Sequence, residues 1–149
     1  MYIILDFIHV LQYTRDMNTT YKTTATTVSL IRYHFVFCPR YRRKIFLIPD
    51  VEQRFKELTT TICEQHGIEI LAMECQKDHV HLFVSVLPQL SIPDIMKYVK
   101  GGTSNVLRAE FPELSRMPSL WTRSYFVSTA GEISSETIQR YIETQRTRY

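Results

Sequence analysis

Hydrophobic and polar positions alternate along this chain in a way that marks its elements in turn. Residues 27–39, TVSLIRYHFVFCP, are rich in β-branched and aromatic side chains and stop at a proline, which predicts a strand. Residues 40–44, RYRRK, follow as a basic loop. Pro49-Asp50 then opens DVEQRFKELTTTICEQHG, in which Val51, Phe55, Leu58 and Ile62 recur at helical spacing. Asp50 is placed to cap that helix and Gly67 to end it. Residues 68–75, IEILAMEC, predict a second strand, residues 76–78 a tight turn, and the stretch up to Val86 a third strand, so that the two form an antiparallel hairpin. Ser91, Pro93 and Asp94 make a helix start, and Ile92, Ile95, Met96, Val99, Val106 and Leu107 stay in helical phase to Glu110. One helix is expected there, bent at Gly101-Gly102. FPELSRMPS reads as a loop, and LWTRSYFVSTAG contains a fourth strand. Ser134 or Ser135 caps a terminal helix, with Glu136 in its first turn and Arg146 and Arg148 in its last, an order that suits the helix dipole.

The order β-α-β-β-α-β plus a terminal helix is the ferredoxin-like split βαβ arrangement. The fold class is therefore α+β, an antiparallel sheet with helices on one face, in a single domain over residues 28–149. Residues 1–27 are an N-terminal extension ending in the Thr-rich linker NTTYKTTATT. Its apolar start is interrupted by Asp6 and His9, lacks a basic leader, and is too short to span a membrane. Met17 is an alternative natural start.

Composition narrows the class without naming it. At 149 residues and 44% hydrophobic, the chain can bury a core and is not of the disordered type. Its net charge of +3 says little until its distribution is known. Cys38, Cys63 and Cys75 have no Cys-x-x-Cys spacing and read as packing thiols in a reducing cytoplasm.

Chemistry enters at KDHVHLFVSV, residues 77–86. Strand periodicity puts Val80, Leu82, Val84 and Val86 on one apolar face and His79, His81, Phe83 and Ser85 on the other. The imidazoles lie roughly 6–7 Å apart along the strand, facing outward where a substrate can reach them. Two readings are open: a hydrogen-bonded surface pair, or two ligands of one metal ion. Tyr141 and Gln145, four apart near the C-terminus, share a helix face and offer a phenol nucleophile and a neutral amide ligand. They also suit a plain packing stripe with Ile138 and Ile142.

The stretch DHVHLFVSV resembles the His-hydrophobic-His motif of the HUH endonuclease superfamily. Together with YHFVFCPRYRRKIF, LWTRSYFVSTAG and YIETQ, in that order, the chain is similar over residues 28–149 to the single-tyrosine transposases of small insertion sequences, the TnpA type. The resemblance implies that His79 and His81 are metal ligands, Tyr141 the nucleophile and Gln145 the third ligand. It implies Mg²⁺ or Mn²⁺ as cofactor. It implies cleavage and rejoining of single-stranded DNA through a 5′-phosphotyrosine, on substrates carrying subterminal hairpins. It also implies a homodimer whose sites are completed across subunits, with Gly131 and the polar stretch after it as a joint. Residues 1–27 and the double glycine have no place in that pattern.

Around this core the roles divide. Arg40, Tyr41, Arg42, Arg43 and Lys44 interleave a ring with four cations and suit phosphate contact and base stacking, or simply a solvated loop. Lys97, Lys100, Arg140, Arg146 and Arg148 are further cations whose simplest role is solvation. Trp121 and Tyr125 read as packing residues. Asp78 has two uses, capping the turn, which turn chemistry favours, or orienting His79. Rival functions are a domesticated tyrosine nuclease, a single-strand-binding module without cleavage, and a hydrolase using water as nucleophile.

Overall fold

The computed structural model describes residues 21–129 and Arg140. The expected terminal helix, its Tyr141, Gln145, Arg146 and Arg148, and the joint at Gly131 lie outside the described residues, as do residues 1–20. Within the described part a short hairpin, β1 (Lys22–Thr23) and β2 (Val28–Ser29), precedes strand β3 (Ile31–Phe37). Residues 22–27, expected as linker, are thus half of a hairpin, tied to the sheet's edge by Lys22 and Glu69 at 2.7 Å. Helix α1 (Val51–Gln65) leads to β4 (Glu69–Gln76) and β5 (His79–Val86). Helix α2 (Ile92–Met96), a π-turn (Lys97–Gly101) and α3 (Gly102–Glu110) follow without a break. The one-turn α4 (Pro112–Ser115) interrupts the expected loop, and β6 (Phe126–Thr129) closes the sheet.

The sheet order is β4-β5-β3-β6, every neighbouring pair antiparallel. With β3 as the first strand of the sandwich, that is the ferredoxin-like arrangement expected. Phe35, Phe37, Val80, Leu82, Val84 and Val86 meet Val51, Phe55, Cys63, Ile95, Val99 and Leu107 of the helices in one buried cluster. Cys63 and Cys75 are buried in it, and burial pushes both thiols up, Cys63 to about 12, so neither is a thiolate at neutral pH. Trp121 is core as well. It sits edge-on to Phe37 at 5.0 Å and Phe55 at 5.5 Å, and its indole donates to Thr103 Oγ1 at 3.0 Å.

Three local expectations change. Asp50 occupies the N-cap position but makes no side-chain cap bond, because its φ of 69° is left-handed and a capping side chain needs an extended backbone. The fourth strand is shorter than the apolar run, since Trp121 turns into the core and the carbonyls of Thr122 and Arg123 accept from the Lys100 ammonium instead of a ladder. The second helix runs on through the glycines as one, as expected, but with a π-turn just before Gly102. The π-turn keeps Ile95, Val99, Thr103 and Leu107, each four apart, facing the core, where a plain α-helix would drift about 40° per step.

Gly102 now has a reason: a β-carbon there would lie 2.5 Å from Cδ1 of Ile62, so its absence lets α3 approach α1. Nothing in the structure explains Gly101, where a β-carbon would meet no atom. Both have helical φ, −66° and −64°. Gly101→Ala should therefore raise unfolding stability by about 0.5–1 kcal/mol. Gly102→Ala should fall short of that, because its methyl must displace Ile62. Urea midpoints of the two variants check this.

Candidate active site

β5 is a central strand, paired with β4 on one side and β3 on the other. Both of its edges are therefore paired, and both of its faces are buried. Glu74 stands opposite His81 and Gln76 opposite His79 on β4, while Val36 stands opposite His81 and His34 opposite Phe83 on β3. The histidines point away from the helices as expected, but they are not exposed: His79 is 4% and His81 0% accessible. The expected open surface pair is instead a buried one. Its rings are 5.1 Å apart, centre to centre, and nearly perpendicular at 71°.

Each ring is held through its Nδ1. That of His79 is 2.9 Å from Asp78 Oδ1. An ionised carboxylate only accepts, so His79 donates there from Nδ1, the geometry in which Nε2 can serve as a ligand nitrogen. Asp78 thus takes the orienting role that turn chemistry had ranked second. It also pairs with Arg42 at 3.3 Å. Burial alone would raise the Asp78 carboxyl, but the His79 bond and the charge of Arg42 outweigh it and hold the group below the usual carboxylate range.

Nδ1 of His81 is 3.0 Å from Nε2 of His34, a fully buried residue that the sequence reading passed over. His34 stacks on Phe83 at 4.1 Å with planes 2° apart, and Phe126 meets its ring edge-on at 6.0 Å. A signal was available: His34 is polar on a strand whose partner positions carry the other imidazoles, and it falls on the same face by parity. Burial lowers His81 to about 3, with the neighbouring His79 adding to the effect, and burial with His81 lowers His34 well below its ordinary value. Both rings are neutral at pH 7.

With both Nδ1 atoms engaged, coordination by either ring would run through Nε2. Two imidazoles on one face, each held at Nδ1 by a neighbour, fit a divalent cation. Among the described residues no three His, Cys, Asp or Glu side chains converge into a metal cage, so this pair needs a ligand from elsewhere.

The basic loop adjoins the pair through Arg42 and Asp78. Tyr41 and Arg42 have left-handed φ of 60° and 50°, which side-chain-bearing residues seldom adopt, and Tyr41 is 72% exposed. Arg40 is anchored, its guanidinium donating to Ser119 Oγ at 2.9 Å, while Arg43 and Lys44 are exposed. Arg40, Tyr41, Lys100, Gly101, Trp121 and Arg123 line an open groove of about 670 Å³. Lys97 is exposed, as is Arg140. No helix of the described residues is long and apolar enough to cross a membrane.

A ferredoxin-like sandwich with a buried His-x-His pair on the sheet face turned away from the described helices is the frame of a single-tyrosine HUH nuclease. Comparison with known proteins gives the particular family. The family described as "Transposase IS200 like" matches residues 27–145. The ISDra2 transposase TnpA of Deinococcus radiodurans is 36% identical over 118 residues, covering 77% of this chain and 84% of its own. The transposase for insertion sequence element IS200 of Salmonella typhimurium is 34% identical over 127 residues, covering 83% and 82%. A crystal structure described as a Deinococcus radiodurans transposase superposes with a TM-score of 0.68 at 34% identity, covering 83% of this chain and 97% of that one. A REP-associated tyrosine transposase bound to a REP hairpin shares the fold, with a TM-score of 0.53 at 10% identity, over 83% of this chain and 69% of that one. The chain belongs to the IS200-like transposase family, and it is an enzyme that cleaves DNA and transfers its strands.

The buried imidazoles carry a pH dependence. The folded value of His81, about 3, lies below the ordinary 6.5, so between these the unfolded chain binds the extra proton. Stability is full above about pH 6.5 and falls as pH drops toward 3. His34 acts with the same sign. Urea midpoints should fall from pH 7 to pH 4.5 in the wild type, and less steeply in a His34→Phe/His81→Leu double variant.

Proposed function

We propose that the chain moves single-stranded DNA through a covalent 5′-phosphotyrosine on Tyr141, at a site where His79, His81 and Gln145 hold a divalent cation, Mg²⁺ or Mn²⁺. The observation that carries this reading is the pair of buried imidazoles, each hydrogen-bonded at Nδ1, an arrangement suited to coordination through Nε2. Support for the remaining two residues comes from the family match, which runs to residue 145 and includes both. A bound cation would supply Lewis-acid charge neutralisation at a phosphate oxygen.

The Tyr141 phenol oxygen attacks the scissile phosphorus and loses its proton. An O–P bond forms, the bond from phosphorus to the 3′ oxygen breaks, and that oxygen leaves with the electron pair to become a 3′-hydroxyl. Attack by another 3′-hydroxyl reverses the step and restores the tyrosine, so the exchange needs no nucleotide cofactor. An imidazole that binds a cation does so in its neutral form, so His79 and His81 as ligands would preserve the cation's full charge opposite the phosphodiester.

Single-stranded DNA carrying subterminal hairpins is the proposed substrate, in keeping with the hairpin held by the REP-associated relative. The loop of Arg40, Tyr41, Arg42, Arg43 and Lys44 is the proposed contact. It is joined to the site by the Arg42–Asp78–His79 chain, and it presents one exposed ring, Tyr41, and three exposed cations, Arg42, Arg43 and Lys44. The protein is proposed to work as a homodimer with each site completed by the partner's tyrosine helix.

A denaturing gel with end-labelled single-stranded DNA from the flanks of the chain's own gene tests the chemistry. A cation-dependent covalent adduct should form, vanish in Tyr141→Phe, and drop at least about 100-fold in His81→Ala or with EDTA, the loss of a group acting in the transition state. Cleavage that survives Tyr141→Phe would make water the nucleophile and sink the reading. A dimer of one His81→Ala and one Tyr141→Phe subunit should keep activity, because only a site shared across subunits leaves one intact. For the loop, Arg43→Ala and Lys44→Ala should each weaken DNA binding at all sequences and lower the salt slope by about 1 per lost phosphate contact.

A further inference from the structure

We infer that His34 is a positioning residue for the reaction: its Nε2 accepts the Nδ1–H of His81 and holds His81 in the tautomer whose Nε2 carries the lone pair. Two neutral imidazoles 3.0 Å apart at nitrogen share one proton along that line. It has two possible homes. If His34 donated, the second nitrogen of His81 would bear the ring proton and could not bind a cation. If His81 donates, its Nε2 is the ligand nitrogen and the proton of His34 sits on its Nδ1.

The two metal-side rings are therefore served differently. A carboxylate can only accept, so Asp78 imposes one tautomer on His79. His34 can give or take, and its orientation is set by packing. Its planes lie 2° from Phe83 and 15° from His81, and Phe126 closes its edge at 77°. Register explains the contact. His34 lies opposite Phe83 and Val36 opposite His81, so His34 and His81 meet on the diagonal of adjacent strands. A histidine at this β3 position thus acts on the site through His81 without touching DNA.

The role toward a cation and the direction of the His34–His81 bond both rest on His81 being a ligand, as proposed above, but the tautomer can be read without any cation present. Long-range ¹⁵N–¹H spectra of the metal-free full chain read it directly. His81 should show Nδ1–H in the wild type and lose that signature in His34→Phe, which keeps the stacking on Phe83. Calorimetric Mn²⁺ affinity should fall ten- to a hundredfold in His34→Phe. His34→Gln, whose amide oxygen can accept near the former Nε2, should recover most of it. Melting curves confirm that each variant is folded, and His34→Gln carries the test if His34→Phe is not. A proton on Nε2 of His81 in the metal-free wild type would overturn the assignment, as would Mn²⁺ affinity unchanged in folded His34→Phe. If wild-type Mn²⁺ binding were absent or indifferent to His81→Ala, the metal reading would fall and take the role of His34 toward it, while the spectra would still decide the tautomer.

Discussion

A strand in the middle of a sheet has no free edge, and when both of its faces are covered every side chain on it is buried. β5 is that strand, and most of the structure follows from it. All eight of its residues are buried, although every second one is polar or aromatic. Val80, Leu82, Val84 and Val86 take their place in the core at no polar cost. His79, His81 and Ser85 bring polar atoms into the same protected layer, where an imidazole is disfavoured in its charged form. The neighbouring strands answer this by placing His34, Glu74 and Gln76 on the same face.

Neutrality and orientation then come from one cause. Burial keeps His81 and His34 uncharged, and an uncharged ring has one donor nitrogen and one acceptor nitrogen whose identities its partner decides. Asp78 binds one ring from the hairpin turn and reaches outward to Arg42, so that side of the pair is coupled to the basic loop. His34 binds the other ring from inside the sheet. One half of the site is open to what happens at the surface, and the other is locked into packing that also stabilises the fold. A loop with left-handed backbone at Tyr41 and Arg42 beside such a pair is the kind of local strain that packed surroundings sustain at functional sites.

Helix packing shows the same economy. Apolar residues spaced four apart drift around an α-helix, and the π-turn offsets that drift so that Val99, Thr103 and Leu107 all stay buried. Thr103 is the polar member, and its hydroxyl is used twice, donating to the Val99 carbonyl and accepting from Trp121. The missing side chain at Gly102 brings that helix against Ile62. A bend was the natural expectation for two adjacent glycines, because glycine's loss of helix propensity is visible in one dimension while a neighbouring helix is not.

What the sequence determined by itself is periodic and local. Period-two alternation separated the core face of β5 from its histidine face, helical spacing placed α1 and the α2–α3 segment, and element order led to the sheet topology. The four motif stretches led to the family, because chemistry of this kind is written in side-chain identity. What only the tertiary structure decided is whatever depends on the neighbour across a strand or helix. Burial of the histidine face depends on what packs over the sheet, which alternation along one strand does not reveal. The bond from His34 to His81 spans 47 positions and exists only through strand register. The choice of Asp78 between turn and imidazole depended on where the His79 ring came to rest. Sequence carries the intrinsic preference of each residue, but the tautomer of a ring and the exposure of a face are properties of pairs, and folding chooses the pairs.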